Sequence, residues 1–138
     1  MNLHIISLHF SFYFRIEMGQ TFSGFWQRKE NPRIIMFGVD WSGKTTILYT
    51  LKGGKPLDEV PTSTIGFNVE EISCGKSTFS IWDLGGCNKL RETFPSFLDP
   101  GRGPPDVGLI CVIDCNDREQ MDLAKFELDR FLAHPAAK

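Results

Sequence analysis

The sequence predicts an α/β domain with a largely parallel central sheet. Three observations lead there. An apolar run at Ile34-Ile35-Met36-Phe37 is followed at once by a glycine-rich turn and a helical segment. A second apolar run, Val107 to Ile113, is followed by an amphipathic segment from Asp117 to Leu132. Between them lie two shorter stretches of strand composition separated by a turn. Short, continuous apolar runs suit strands buried on both faces, and strand–helix alternation suits a parallel sheet covered by helices.

Taken in order, the elements are these. Ile34–Phe37 reads as a strand and Thr45–Leu51 as a helix stopped by Gly53-Gly54. Lys55–Ser63 is polar loop containing Pro56 and Pro61. Phe67–Ile72 and Thr78–Trp82 read as strands joined around Cys74-Gly75-Lys76. Leu98–Asp106, LDPGRGPPD, is too rich in proline and glycine for regular structure. The last helix would bury Met121, Ala124, Leu128, Phe131 and Leu132 and start on an Asn116/Asp117 cap.

Composition sets bounds on function. The 138 residues suffice for one domain, and 15 basic against 17 acidic side chains leave a net charge of −2. That balance gives no electrostatic basis for nucleic-acid binding, and no such partner is expected. Cys74, Cys87, Cys111 and Cys115 lack the short paired spacing of zinc sites and read as reduced thiols. No apolar stretch reaches the roughly 20 residues of a membrane-spanning helix.

The N-terminus falls into two pieces. Residues 1–17, MNLHIISLHFSFYFRIE, are apolar and nearly uncharged. They read as a signal peptide, as an extra strand or membrane-surface segment, or as an over-extended start, with translation beginning at Met18. The last is preferred because Met18-Gly19-Gln20-Thr21-Phe22-Ser23 fits M-G-x-x-x-[ST], the N-myristoylation pattern, which would acylate Gly19. Phe22, Phe25 and Trp26 then share one helical face, the second membrane signal that a single acyl chain needs. Residues 18–32 are therefore expected to form an amphipathic, lipidated segment, and residues 33–138 the domain.

Three stretches carry chemistry. Gly38-Val39-Asp40-Trp41-Ser42-Gly43-Lys44-Thr45 matches G-x-x-x-x-G-K-[ST], the P-loop, between a strand and a helix. Its glycines let successive N–H groups turn inward onto phosphates, and the helix adds its positive dipole end. Lys44 would reach the β- and γ-phosphates, and the Thr45 hydroxyl would ligate Mg²⁺. Trp82-Asp83-Leu84-Gly85-Gly86 ends a strand, placing Asp83 to hold the Mg²⁺ shell through water and the Gly86 N–H to meet a γ-phosphate. Between them, Pro61-Thr62-Ser63-Thr64-Ile65-Gly66-Phe67-Asn68 supplies a threonine that would reach the metal only when the γ-phosphate is there.

In this order, ILYTLK after the P-loop, TIGFNVE, WDLGG and VIDCNDRE resemble the corresponding segments of ADP-ribosylation factor (Arf) and Arf-like small GTPases. The resemblance runs from Met18 to about Leu132. It implies a P-loop GTPase fold, with GTP or GDP held by Gly38 through Thr46 and by Gly86, and Mg²⁺ held by Thr45, Thr64 and, through water, Asp83. It also implies switch I ending at Asn68, switch II starting at Asp83, and myristate on Gly19. By the same resemblance the chain would cycle between cytosolic and membrane-bound forms in vesicle trafficking, at the Golgi or endosomes. Exchange factors, GTPase-activating proteins and effectors would be its partners.

Four departures from the family pattern bear on activity. The N-K-x-D motif that reads guanine on the fifth strand is absent from these 138 residues, as are the last strands and helices. Cys87 stands where the family has the glutamine that orients the attacking water, so no catalytic residue is assigned and hydrolysis should be reduced. Trp41 puts a bulky ring into a loop of small residues, to fold outward or to obstruct an activating arginine. PTSTIGFN is two residues longer than the family's PTIGFN, making Thr62 a competitor of Thr64, and LDPGRGPPD is also longer. The alternative to a GTP switch is thus an impaired remnant that holds nucleotide weakly. A P-loop ATPase or kinase is the third possibility, disfavoured by TIGFNVE and WDLGG.

Overall fold

The computed structural model describes residues 4–9, 32–53, 63–74, 77–99, 101 and 107–135. Five strands form one sheet: β1 (His4–His9), β2 (Arg33–Phe37), β3 (Phe67–Cys74), β4 (Ser77–Leu84) and β5 (Val107–Ile113), in the order β1-β5-β2-β4-β3. β1, β5, β2 and β4 run parallel, whereas β3 and β4 pair antiparallel, from Phe67 opposite Leu84 to Cys74 opposite Ser77. The largely parallel sheet expected from the apolar runs is therefore present, with a hairpin at one edge.

Helix α1 (Lys44–Gly53) follows the glycine-rich turn, α2 (Asn88–Arg91) is a single turn after β4, and α3 (Met121–Ala133) follows β5. Side chains alternate across the central strands, and each face acquires its own core. Ile34 and Met36 of β2, with Ile110 and Val112 of β5, pack under Ile47 and Leu48 of α1. Ile35 and Phe37, with Val107, Leu109 and Cys111, pack under Phe94, Phe97 and Leu98 of a 3₁₀ helix and Phe131 of α3. The Phe37 and Phe131 rings meet at 4.0 Å between centroids. Burial on both faces explains why these strands read as unbroken apolar runs instead of alternating ones.

Two local expectations differ from what is observed. The Asn116/Asp117 cap does not open α3, because Arg118–Gln120 form a 3₁₀ turn first, and neither that turn nor α3 has a side-chain cap. The Asp117 carboxylate is otherwise engaged, accepting a hydrogen bond from Gln120 Nε2 at 2.6 Å. On α3, Ala124 and Phe131 are buried as expected, but Met121 is 38% exposed and Glu127 takes a buried place at 3%. The myristoylation pattern at Gly19, the stripe of Phe22, Phe25 and Trp26, Thr62, and most of LDPGRGPPD lie outside the described residues.

β1 is the outermost strand, parallel to β5 along its length, with His4 opposite Gly108 and His9 opposite Ile113. An open strand edge beside a buried apolar strand invites pairing with other chains. A variant lacking residues 1–17 should therefore melt about 5 °C lower or more and associate as its concentration rises. Thermal melts with light scattering check this. An unchanged melting temperature and a monomeric state would show that β1 contributes nothing to the sheet, as expected of an over-extended start.

Candidate functional site

The parallel strands β2, β4 and β5 end on one side of the sheet, and there the loop after β2 with the start of α1, Asp83 and Gly86 at the end of β4, and Thr64 on the loop entering β3 come together. Strand ends in open α/β sheets are the usual place for ligands. Here the first loop is Gly38–Gly43. Gly38 packs so closely on the Val112 carbonyl that a Cβ would collide with it, which brings the loop down onto the end of β5. The loop closes into α1 with the Ile47 N–H bonded to the Gly43 carbonyl at 3.0 Å.

Lys44 is 5% exposed, and its ammonium donates to the Val39 carbonyl at 2.8 Å and to Ser42 Oγ at 3.3 Å. The side chain is thus folded over the concave side of its own loop, where the phosphates of a nucleotide would lie. Burial lowers the Lys44 pKa from its ordinary value, and the carboxylates of Asp83 and Asp40 oppose that shift. Asp83 is fully buried, and burial raises its pKa, opposed by the Thr45 hydrogen bond and by the Lys44 charge. Burial also pushes the nearby Cys111 thiol up to about 11, so it is no nucleophile at neutral pH. Lys44 and Asp83 are therefore a cation and an anion that burial disfavours in their charged forms. A phosphate beside one and a divalent cation beside the other would relieve that cost.

Three segments distant in sequence meet at one hydroxyl. Thr45 Oγ1 donates to Asp83 Oδ2 at 2.7 Å and lies 2.9 Å from Thr64 Oγ1. Asp83 Oδ1 is buried without a hydrogen-bond partner. Two hydroxyls and one carboxylate, one of whose oxygens is orphaned, are hard oxygen donors of the kind Mg²⁺ takes, to be completed by water and phosphate. Among the described residues no cluster of three or more histidine, cysteine or acidic side chains offers a different metal site. The threonine at this position is Thr64; its rival Thr62 lies outside the described residues.

The loops are also tied to each other. Gly85 N–H donates to the Gly66 carbonyl at 2.9 Å, and a Cβ on Gly85 would collide with the Thr64 carbonyl. Gly86 abuts Val39 and Asp40 of the P-loop just as tightly. These two glycines are required by close backbone approach alone. Ser63 Oγ, which sequence reasoning did not single out, donates to the Asp40 carboxylate with contacts of 2.6 and 2.7 Å to its two oxygens. Nothing in the sequence links positions 40 and 63; only the folded loops bring them together.

The remaining departures also have a place. Trp41 has φ 62 and is 67% exposed, so its ring points outward from the loop. A non-glycine residue in the left-handed region costs roughly 1–2 kcal/mol. Cys87 is half-buried just before α2, where its thiol makes no cap hydrogen bond. A further feature was missed altogether. Phe67 stacks on Trp82 at 5.3 Å, with Phe97 edge-on to both, and Phe67, Val69 and the almost wholly exposed Ile65 present apolar surface outward. Alternation along β3 was the signal available, but the sequence does not say which face is left open.

Residues 18–138 match the family model described as the ADP-ribosylation factor family. The chain belongs to the Arf family. One similar structure is that of the Arl6 BBS3 small GTPase from Trypanosoma brucei with a bound nucleotide analogue, GppNp. It is 31% identical with a TM-score of 0.61, over 78% of this chain and 57% of that one. The T. brucei IFT22/74/81 GTP-bound crystal structure is also similar, with 20% identity and a TM-score of 0.61, over 75% of this chain and 59% of that one. At that identity the second likeness concerns the fold only. The chain thus spans less than two thirds of either relative. Its architecture is that of an Arf-type α/β domain.

Lys44→Ala should abolish triphosphate binding while leaving the melting temperature within a few degrees, because the ammonium is bonded to its own loop and is not part of either apolar core. Equilibrium titration with a fluorescent GTP analogue checks this, and unchanged affinity would remove the P-loop from the site.

Proposed function

We propose that this Arf-family chain is the phosphate- and metal-binding part of a GDP/GTP switch. The observation that carries this reading is the meeting of Thr45, Thr64 and Asp83 at one point beside Lys44. Gly38 through Thr46 and Gly86 bind phosphates. Thr45 and Thr64 ligate Mg²⁺ directly, and Asp83 holds it through water. Bound Mg²⁺ would neutralise charge on the β- and γ-phosphates. Thr64 sits on a loop held by two short contacts, Ser63 to Asp40 and Gly66 to Gly85, so its hold on the metal can be made and released with the γ-phosphate.

Regulators and effectors of the exchange-factor, activating-protein and effector kinds fit the apolar surface of Ile65, Phe67 and Val69 beside these loops. Membrane attachment would come from Gly19 acylation and the adjoining aromatic stripe, placing the chain on a trafficking membrane such as that of the Golgi or endosomes. Among the described residues no helix is long and apolar enough to cross a membrane. Acylation of Gly19 requires a product that starts at Met18, the residue at which the family match begins. Myristate labelling of that product should be lost in Gly19→Ala, and label that persists would refute the site.

Cys87 favours a second reading, a nucleotide-holding chain with little turnover. A thiol is too short and too weak a hydrogen-bonding group to orient an attacking water. Titration of the purified chain with fluorescent GDP and GTP in Mg²⁺, with ATP as competitor, tests the first reading. Binding that ATP does not displace supports a guanine switch, whereas no binding by a folded chain leaves the remnant. In a chain that binds, Cys87→Gln should raise single-turnover hydrolysis by at least tenfold, and an unchanged rate would show that Cys87 is not what limits it.

A further inference from the structure

Behind switch II lies a buried charged cluster that the reading above does not use. Arg91, on the single turn α2, is 8% exposed and donates from Nη1 to the Gly86 carbonyl at 2.8 Å and from Nη2 to Asn88 Oδ1. Its Nε lies 3.2 Å from Glu127 Oε1, an electrostatic contact without hydrogen-bond alignment. Glu127, on α3 and 3% exposed, accepts a hydrogen bond on Oε2 from Arg130 Nη1 at 2.9 Å. Arg130 also donates to the carbonyls of Arg91 at 3.2 Å and Glu92 at 3.1 Å. Two guanidinium groups thus bracket one buried carboxylate, and all three bear on the segment from Gly86 to Glu92.

We propose that Arg91 and Glu127 are positioning residues that set the Gly86–Cys87 peptide, so that α3 tunes the preference for triphosphate over diphosphate. This rests on the switch reading of the site. A peptide unit is planar and trans, so anchoring the Gly86 carbonyl on Arg91 also sets the direction of the Cys87 N–H. Glycine offers no side chain to hold its own torsions. Gly86 also presses on Val39 and Asp40 of the P-loop, so a turn of its peptide is felt where a γ-phosphate would lie. Arg91 reaches Gly86 across five residues, and among the described residues Glu127 is the group that holds the guanidinium from another element. A planar fork suits this role, because its separate N–H groups face different acceptors at once. The alternative is a pair that merely fastens α2 to α3.

The test compares wild type, Glu127→Gln and Arg91→Lys as full-length chains, by amide hydrogen exchange without nucleotide and by affinity for GDP and GppNHp. Exchange over residues 84–90 should quicken at least threefold in both variants, with residues 107–113 unchanged. The ratio of GppNHp to GDP affinity should fall at least tenfold. Equal loss of both nucleotides, or exchange quickened equally in β5, would mean a structural fastening and overturn the proposal. If wild type binds neither nucleotide, the switch reading fails by itself. The exchange result then decides the coupling, and unchanged exchange over residues 84–90 sinks it.

Discussion

The Thr45 hydroxyl is the point on which the site's geometry depends. It belongs to the first turn of α1, yet donates to a carboxylate at the end of β4 and touches a hydroxyl on the loop entering β3. No local rule brings these groups together. They meet because β2 and β4 are parallel neighbours in register, with Met36 opposite Asp83, so the loop after β2 starts level with the carboxylate. A change in that register by one residue would turn Asp83 to the other face of the sheet. The site's polar geometry is therefore held by the apolar pairing beneath it.

That pairing in turn depends on having two cores. β2 and β5 divide their side chains between the face under α1 and the face under Phe94, Phe97 and Phe131. With both faces buried, neither strand can slip without exposing apolar side chains, and the loops at their ends inherit that rigidity. The contrast with β3 is instructive. Its hairpin is at the sheet edge, Phe67 and Val69 stay half exposed, and the loop that enters it carries Thr64, the threonine proposed to move. A rigid phosphate loop and a movable switch would follow from central and edge places in one sheet.

How much of this was legible in the sequence varies with the kind of order involved. Strands β2 and β5 and helix α1 could be read because double-sided burial leaves unbroken apolar runs and glycines mark the turns. The P-loop pattern and Asp83 at a strand end stand out by their spacing, whereas Thr64 is expected from the family resemblance, with Thr62 as its rival. What could not be read needed contacts between distant segments. Glu127 sits among apolar positions on α3 and looks like a solvated residue until Arg91 and Arg130 are seen on either side. The link between Ser63 and Asp40 leaves no trace in either stretch alone. The cap at Asn116/Asp117 failed for a local reason: a 3₁₀ turn intervened and Asp117 had a side-chain partner.

The departures from the family pattern fall unevenly over the site, and the unevenness has a physical meaning. Of the groups proposed to meet phosphate and metal, Thr45, Thr64 and Asp83 are joined by short contacts, and Lys44 is folded over its own loop. Cys87 would bear on a later step of the proposed reaction, the orientation of water for attack. Trp41 lies on the loop yet is largely exposed, so it would alter what can approach a phosphate there more than how one is held. Its left-handed backbone lies between two glycines of the loop, Gly38 and Gly43, that also have positive φ. On the proposed reading, holding a nucleotide and consuming it would be separated within one site: Asp83 lies on β4 and the glycine-rich loop leaves β2, whereas Cys87 lies beyond the end of β4.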